Sequence, residues 1–170
     1  MFSDLMGRMD GRMRVALYQP DIPGNAGAMM RTAACLGVPV DVIGPAGFVM
    51  SDRQFRRAGM DYLDRMDLAQ HSSWDAFQDQ LGARGDKSAR LVLLTTGAET
   101  GFLEFKFRAD DILLVGRETA GVPDDVHAAA GARIRVPMAP GNRSLNVAQA
   151  LAMVLGEALR QTDGFPKEQD

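Results

Sequence analysis

Short apolar runs without polar interruption constrain this chain more than any other feature. Residues 14–18 (RVALY), 90–95 (RLVLLT) and 112–115 (ILLV) are too short to stand as helices, and they do not alternate as a half-solvated strand would. Such runs fit strands covered on both faces, which is the condition of a parallel sheet between layers of helices. Residues 40–43 and 133–136 add two further strand candidates. Helical segments fall between them. One is expected over 25–36, with Asn25 as its cap and Gly37 and Pro39 ending it. A longer one is expected over 144–161, where Leu151, Val154, Leu155, Ala158 and Leu159 share one face and Gly164 and Pro166 stop it. Alternating elements of this kind predict an α/β fold, a mostly parallel sheet flanked by helices.

Composition narrows the function classes. No apolar stretch has the length of a membrane span. The single cysteine, Cys35, excludes an intrachain disulfide and fits a reducing cytoplasm. Residues 1–12 read as a disordered extension, 13–166 as one domain, and 167–170 as a tail. Lys and Arg number 19 against 22 Asp and Glu, a net charge of −3, so any contact with RNA must rest on local patches. Arg53, Arg56 and Arg57 around Phe55 form one candidate patch, with a solvated helix face as the plainer alternative, and Arg143 is a further candidate. The first strand is not followed by GxGxxG, and neither a phosphate-binding GxxxxGK[ST] nor a GxSxG elbow occurs. His71, His127 and Cys35 lie in unrelated contexts, so no metal-ligand spacing exists.

Three segments carry residue types suited to a site. The first, PDIPGNAG with Arg31 beyond it, follows the first strand, where open α/β sheets place ligands. Arg31 offers a planar fork to phosphate; a plain turn and a surface arginine would read the same. The second, GRETAGVP, follows ILLV, and its two glycines allow close backbone approach with Glu118 held between them. The third, IRVPMAPGNRSLN, joins a strand end to a helix start, where free N–H groups can hold a polar edge. Ser144 and Asn146 suit helix caps there, and Met138 suits core filling.

In order along the chain these segments resemble the signature motifs of the SPOUT methyltransferases. The similarity is greatest to the small single-domain tRNA (cytidine/uridine-2′-O-)-methyltransferases, through RVALYQPDIPGNAGAMMRTAACLG, PAGFVMSDRQFRRAGMDY, LLTTG, LLVGRETAGVP and IRVPMAPGNRSLNVAQALAMVLGEALRQ. The resemblance implies an α/β-knot domain whose C-terminal part threads a loop as a trefoil, against the general rule for chain connections. It implies S-adenosylmethionine as cofactor, S-adenosylhomocysteine as product, tRNA as substrate, and a cytoplasmic homodimer whose active site draws on both subunits. By motif position it assigns Leu94, Thr95, Gly116, Glu118, Val136, Met138, Ser144 and Leu145 to the cofactor. It assigns Arg31, Asn25, Glu118, Ser144 and Asn146 to the active site, and it implies neither metal nor membrane. Gly156, Leu159 and Arg117 depart from the tyrosine, tryptophan and proline usual in that group, and the first two fall where a dimer interface and a cofactor edge are expected. Other readings are a related enzyme acting at another tRNA or rRNA site, a knot protein without catalysis, and a flavodoxin-like nucleotide binder. The expectation common to the methyltransferase readings is that Gly116, Val136 and Ser144 bound a single cavity.

Overall fold

The computed structural model describes residues 11–49, 62, 66–83 and 89–167. Its elements, in chain order, are β1 Arg14–Tyr18, α1 Pro23–Cys35, β2 Val40–Ile43, β3 Leu68–His71, α2 Trp74–Ala83, β4 Leu91–Leu94, β5 Ile112–Val115, α3 Asp124–Ala129, β6 Ala132–Ile134 and α4 Val147–Thr162. The strands form one six-stranded sheet in the order β3-β2-β1-β5-β4-β6. Every neighbouring pair runs parallel. All residues of β1, β2 and β5 are buried, as expected of strands covered on both faces.

The two-residue period of a strand divides the core into two layers. Val15, Leu17, Leu113 and Val115 face α1 and α4, where they meet Met29, Met30, Leu151, Val154 and Leu155. Ala16, Tyr18, Ile112 and Leu114 face the other way, against Trp74 and Phe77 of α2 and Val126 of α3. The second layer also buries charge. Arg14 Nε donates to Asp41 Oδ2 at 2.7 Å, and His71 Nε2 lies 2.8 Å from Asp41 Oδ1. Burial pushes the Asp41 carboxyl up, but the hydrogen bonds from His71 and Arg14 outweigh it and hold the group below its ordinary range.

Several boundaries differ from the sequence expectation. Helix α1 begins at Pro23, not at Asn25: proline has a fixed φ and no N–H to satisfy, so it takes the first helical position and Ile22 takes the cap. Asn25 is therefore inside the first turn and caps nothing. Helix α4 begins at Val147, with Asn146 accepting from Ala148 N and Gln149 N; Ser144 lies ahead of the helix and is not its cap. The helix closes at Thr162 on Asp163, whose φ of 52° is left-handed. Strand β6 stops at Ile134, because Arg135 N turns to Thr100 O instead of continuing the ladder. Leu159 is 3% exposed, in the chain's own core, and so is not at an outer edge. The patch Arg53, Arg56, Arg57 lies outside the described residues.

Candidate active site

The strand order turns back on itself beside β1, which pairs with β2 on one side and β5 on the other. The carboxyl ends of β1 and β5 therefore release their loops next to each other, at the switch point where open α/β sheets bind ligands. After β1, Gln19 takes a φ of 42°, a costly conformation for a residue with a Cβ, and the chain runs through Pro20 and Asp21 into α1. After β5, residues 116–121 close a tight hairpin: Arg117 N donates to Gly121 O and Gly121 N to Arg117 O. A Cβ on Gly116 would sit 2.7 Å from the Gly121 carbonyl carbon, and Gly121 holds a φ of 62°, so neither position admits a side chain without rearrangement.

The β1–α1 loop is tied to the hairpin after β5, and the first turn of α1 to the approach to α4. Asp21 Oδ1 accepts from Glu118 N at 3.1 Å, Asp21 Oδ2 accepts from the Thr119 hydroxyl, and Asp21 N donates to Glu118 Oε2 at 3.4 Å. Asn146 Nδ2 donates to Asn25 Oδ1 at 2.9 Å while its own Oδ1 caps α4. The hydrogen bond with Glu118, reinforced by Thr119, holds the Asp21 carboxyl down at about 2. Burial, then the hydrogen bond with Asp21, pushes Glu118 up. Glu118 Oε1 is buried and has no hydrogen-bond partner.

A cavity of about 480 Å³ opens at the carboxyl ends of β5, β4 and β6, a size suited to a cofactor. Leu94 and Thr95 line it from the end of β4, Gly116 and Glu118 from the hairpin, and Val136 and Met138 from the exit of β6. Ser144, Leu145 and Asn146 line it from the approach to α4, and Asn25 from α1. Gly116, Val136 and Ser144, distant in sequence, thus bound one cavity. Leu93 and Ile134, which lie in the quoted motifs but were not among the residues assigned to the site, supply apolar floor, and Arg117 and Arg135 add positive charge. Arg117 lies with its guanidinium 5.8 Å from the centre of the Tyr18 ring and its Nε 3.4 Å from Gly121 O.

The sequence profile of the SpoU rRNA Methylase family matches residues 12–156. The chain belongs to the SpoU methylase family. Among its relatives, the tRNA (cytidine(34)-2′-O)-methyltransferase of Beijerinckia indica is 57% identical, over 92% of this chain and 96% of that one. The protein of the same name from Ancylobacter novellus is 52% identical, over 91% and 96%. A solved structure described as giving structural insights into the 2-OH methylation of C/U34 on tRNA superposes with a TM-score of 0.81 at 40% identity, covering 89% of this chain and 97% of that one. The SpoU methyltransferase AviRb of Streptomyces viridochromogenes, solved in complex with AdoMet, superposes with a TM-score of 0.84 at 28% identity, over 94% of this chain and 61% of that one.

Two of the expected residues stand apart from the cavity of this SpoU methylase. Arg31 is exposed on α1, and its guanidinium lies 5.0 Å from the centre of the Tyr62 ring. Arg143 is exposed on the loop before α4. In sequence Asp21 reads only as part of a turn. The available signal was an acid after one strand and an acid after another, and it becomes meaningful only when β1 and β5 are known to be neighbours.

Proposed function

We propose that this chain transfers a methyl group from S-adenosylmethionine to the ribose 2′-hydroxyl of cytidine or uridine at the tRNA wobble position. One observation carries the reading: the loops after β4, β5 and β6 enclose a cavity at the carboxyl end of the sheet, in a chain most of whose length aligns with named tRNA 2′-O-methyltransferases. The cavity fits such a cofactor, since its floor is apolar and Thr95, Ser144 and Asn146 bring polar side chains to its lining. Leu94, Thr95, Gly116, Glu118, Val136, Met138, Ser144 and Leu145 would hold it. Bound there, S-adenosylmethionine would supply a methyl made electrophilic by its sulfonium; transfer to the 2′-oxygen would release the hydroxyl proton and give S-adenosylhomocysteine.

The chain's own contribution is positioning, which can supply much of the rate of a group transfer. Asn25 and Asn146, joined to each other, fix the first turn of α1 against the start of α4. The π-face of Tyr62 holds the Arg31 guanidinium. Arginine stays protonated near neutrality and is a poor base, so Arg31 orients phosphate. Arg53, Arg56, Arg57 and Arg143 extend the RNA contact. The working form on this reading is a cytoplasmic homodimer, as the resemblance implies. No helix among the described residues is long and apolar enough to cross a membrane. The threading of the C-terminal part belongs to the same reading; Gln161 of α4 is clamped to the backbone at Phe105 O and Phe107 N.

The test is transfer of labelled methyl from the cofactor to total tRNA, with the modified ribose mapped. Labelling confined to another site, or to rRNA, rejects the wobble assignment. Arg31→Ala is expected to lower turnover at least ~100-fold, a loss of about 2.7 kcal/mol of transition-state stabilisation, while cofactor binding persists. Unchanged turnover removes Arg31 from the reaction. A chain starting at Met13 should fold and react normally, because Met13 is buried and β1 starts at Arg14.

A further inference from the structure

We propose that Arg117 and Arg135 together seat one backbone phosphate of the RNA at the mouth of the cavity. The inference rests on the reading of that cavity as the site of methyl transfer to tRNA, and adds to it the place where the strand is held.

The two arginines leave the sheet on either side of β4. Leu94, the last residue of β4, is in register with Val115 of β5 and with Ile134 of β6. Arg117 lies two residues beyond the first partner and Arg135 one beyond the second. Two strand spacings, about 10 Å, therefore separate their backbones, and a phosphate between them is within reach of both long side chains. Both arginines also fall on one side of the sheet. The Arg117 guanidinium lies 5.8 Å from the centre of the Tyr18 ring, in the layer that packs against α2 and α3. In β6, Arg133 Nε reaches His127 Nδ1 of α3 at 3.1 Å, while Ile134 faces the layer of α1 and α4. Arg135 N donates to Thr100 O and Arg135 O accepts from Phe102 N, in a parallel bridge with Gly101. The backbone thus stays extended, and the two-residue period returns Arg135 to the side of α3. Both residues line the cavity.

Their donors are available to an anion. Arg117 Nε donates to Gly121 O at 3.4 Å, which leaves the two Nη groups at the end of the fork without a partner among the described residues. Holding the guanidinium near Tyr18 in advance lowers the ordering cost of binding. The proline usual in the resembling group would supply neither this fork nor the N–H that Arg117 donates to Gly121 O. Arg135 is exposed, and its guanidinium enters no ion pair among the described residues. Glu118 is the one acid among the described residues of the lining. Its Oε1 is buried and its Oε2 accepts from Asp21 N, so it is turned away from both arginines' forks. Two planar forks side by side suit a phosphate, whose oxygens accept from both. The floor is apolar, and an RNA strand is too large to enter a cavity of about 480 Å³, so it meets only the rim. With a net charge of −3, the chain must hold RNA through local cations of this kind.

The experiment measures binding of total tRNA to the full chain over a salt series, for wild type, Arg117→Gln, Arg135→Gln and the double variant. Glutamine keeps each backbone hydrogen bond. Each single substitution should weaken tRNA binding about tenfold, the scale of a lost charge-assisted hydrogen bond. The double variant should lose less than the product of the single losses, because both arginines hold the same phosphate. Its slope of log affinity against log salt should flatten by about 0.7–0.9, the contribution of one phosphate. Unchanged tRNA binding in either single variant, fully multiplicative losses, or a flattening twice as large overturns the shared seat. Affinity for S-adenosylhomocysteine should stay within about twofold of wild type in every variant. A loss there with tRNA binding intact assigns the arginines to the cofactor's carboxylate and overturns the proposal. If Arg117→Gln fails to fold, Arg117→Lys, which keeps the charge without the fork, takes its place. It should weaken tRNA binding while leaving the salt slope near wild type, and full affinity is equally fatal. A wild-type chain that binds and methylates rRNA in place of tRNA defeats the tRNA reading instead, and the same salt series on that rRNA then decides the phosphate seat.

Discussion

Two residues that look interchangeable in sequence do different work. Asn25 and Asn146 each precede or open a helix, yet only Asn146 is a cap, and it spends its amide nitrogen on Asn25. Asn146→Ala should therefore cost about 1 kcal/mol of stability as a lost cap, read by urea unfolding, and also loosen cofactor binding. Asn25→Ala should leave stability within about 0.5 kcal/mol of wild type and affect only methyl transfer. Equal stability losses would show that the Asn25–Asn146 bond, not the cap, is what matters. Gly116 is constrained by space: its Cβ would meet the Gly121 carbonyl carbon at 2.7 Å. Gly116→Ala should force the hairpin open, cost about 1–3 kcal/mol as an overpacked site, and abolish detectable S-adenosylhomocysteine binding in calorimetry.

At the scale of elements, α4 joins core and site. Its buried face, Leu151, Val154, Leu155, Ala158 and Leu159, is set by the helical period. Its start delivers Asn146, Val147 and Ala150 to the cavity. Leu155→Ala should cost about 2–5 kcal/mol by urea unfolding, because a fully buried side chain leaves a void. Met153 is 47% exposed on the same helix. Met153→Lys should leave monomer stability nearly unchanged but, on the homodimer reading, shift sedimentation toward the monomer. A sedimentation profile identical to wild type would remove that face of α4 from the interface.

The sheet as a whole carries a buried charge cluster none of whose members lines the cavity. Asp41 links β2 to Arg14 of β1 and His71 of β3. Its carboxyl is held below the ordinary range, so the unfolded chain takes up the proton first as pH falls. Stability from this group is complete above about 3.9 and is lost as pH drops through the lower folded-state value. Asp41→Asn should cost about 3 kcal/mol near neutrality by stranding Arg14 and His71, and it should flatten the acid side of the stability curve. Urea unfolding over a pH series reads both, and an unflattened acid limb would clear Asp41 of that role.

The strands that run through the middle of the sheet were legible because burial on both faces leaves no choice but continuous apolar sequence. Residues 14–18 and 112–115 emerged with the bounds expected of them. The partly exposed edge strand β3, the ten-residue α2 and the six-residue α3 gave no such signal, since their sequences mix polar and apolar residues over short spans. Site residues were legible as motif positions, and ten of them line one cavity. Which loops touch was not written in any local pattern. It depends on strand order, a consequence of long-range packing. Sequence alone determined the layered α/β architecture and the chemical types gathered at its loops, because period and burial act locally. Only the tertiary structure decided that β1 lies beside β5, and with it that Asp21 meets Glu118 and Asn25 meets Asn146, because those contacts span 97 and 121 residues of chain.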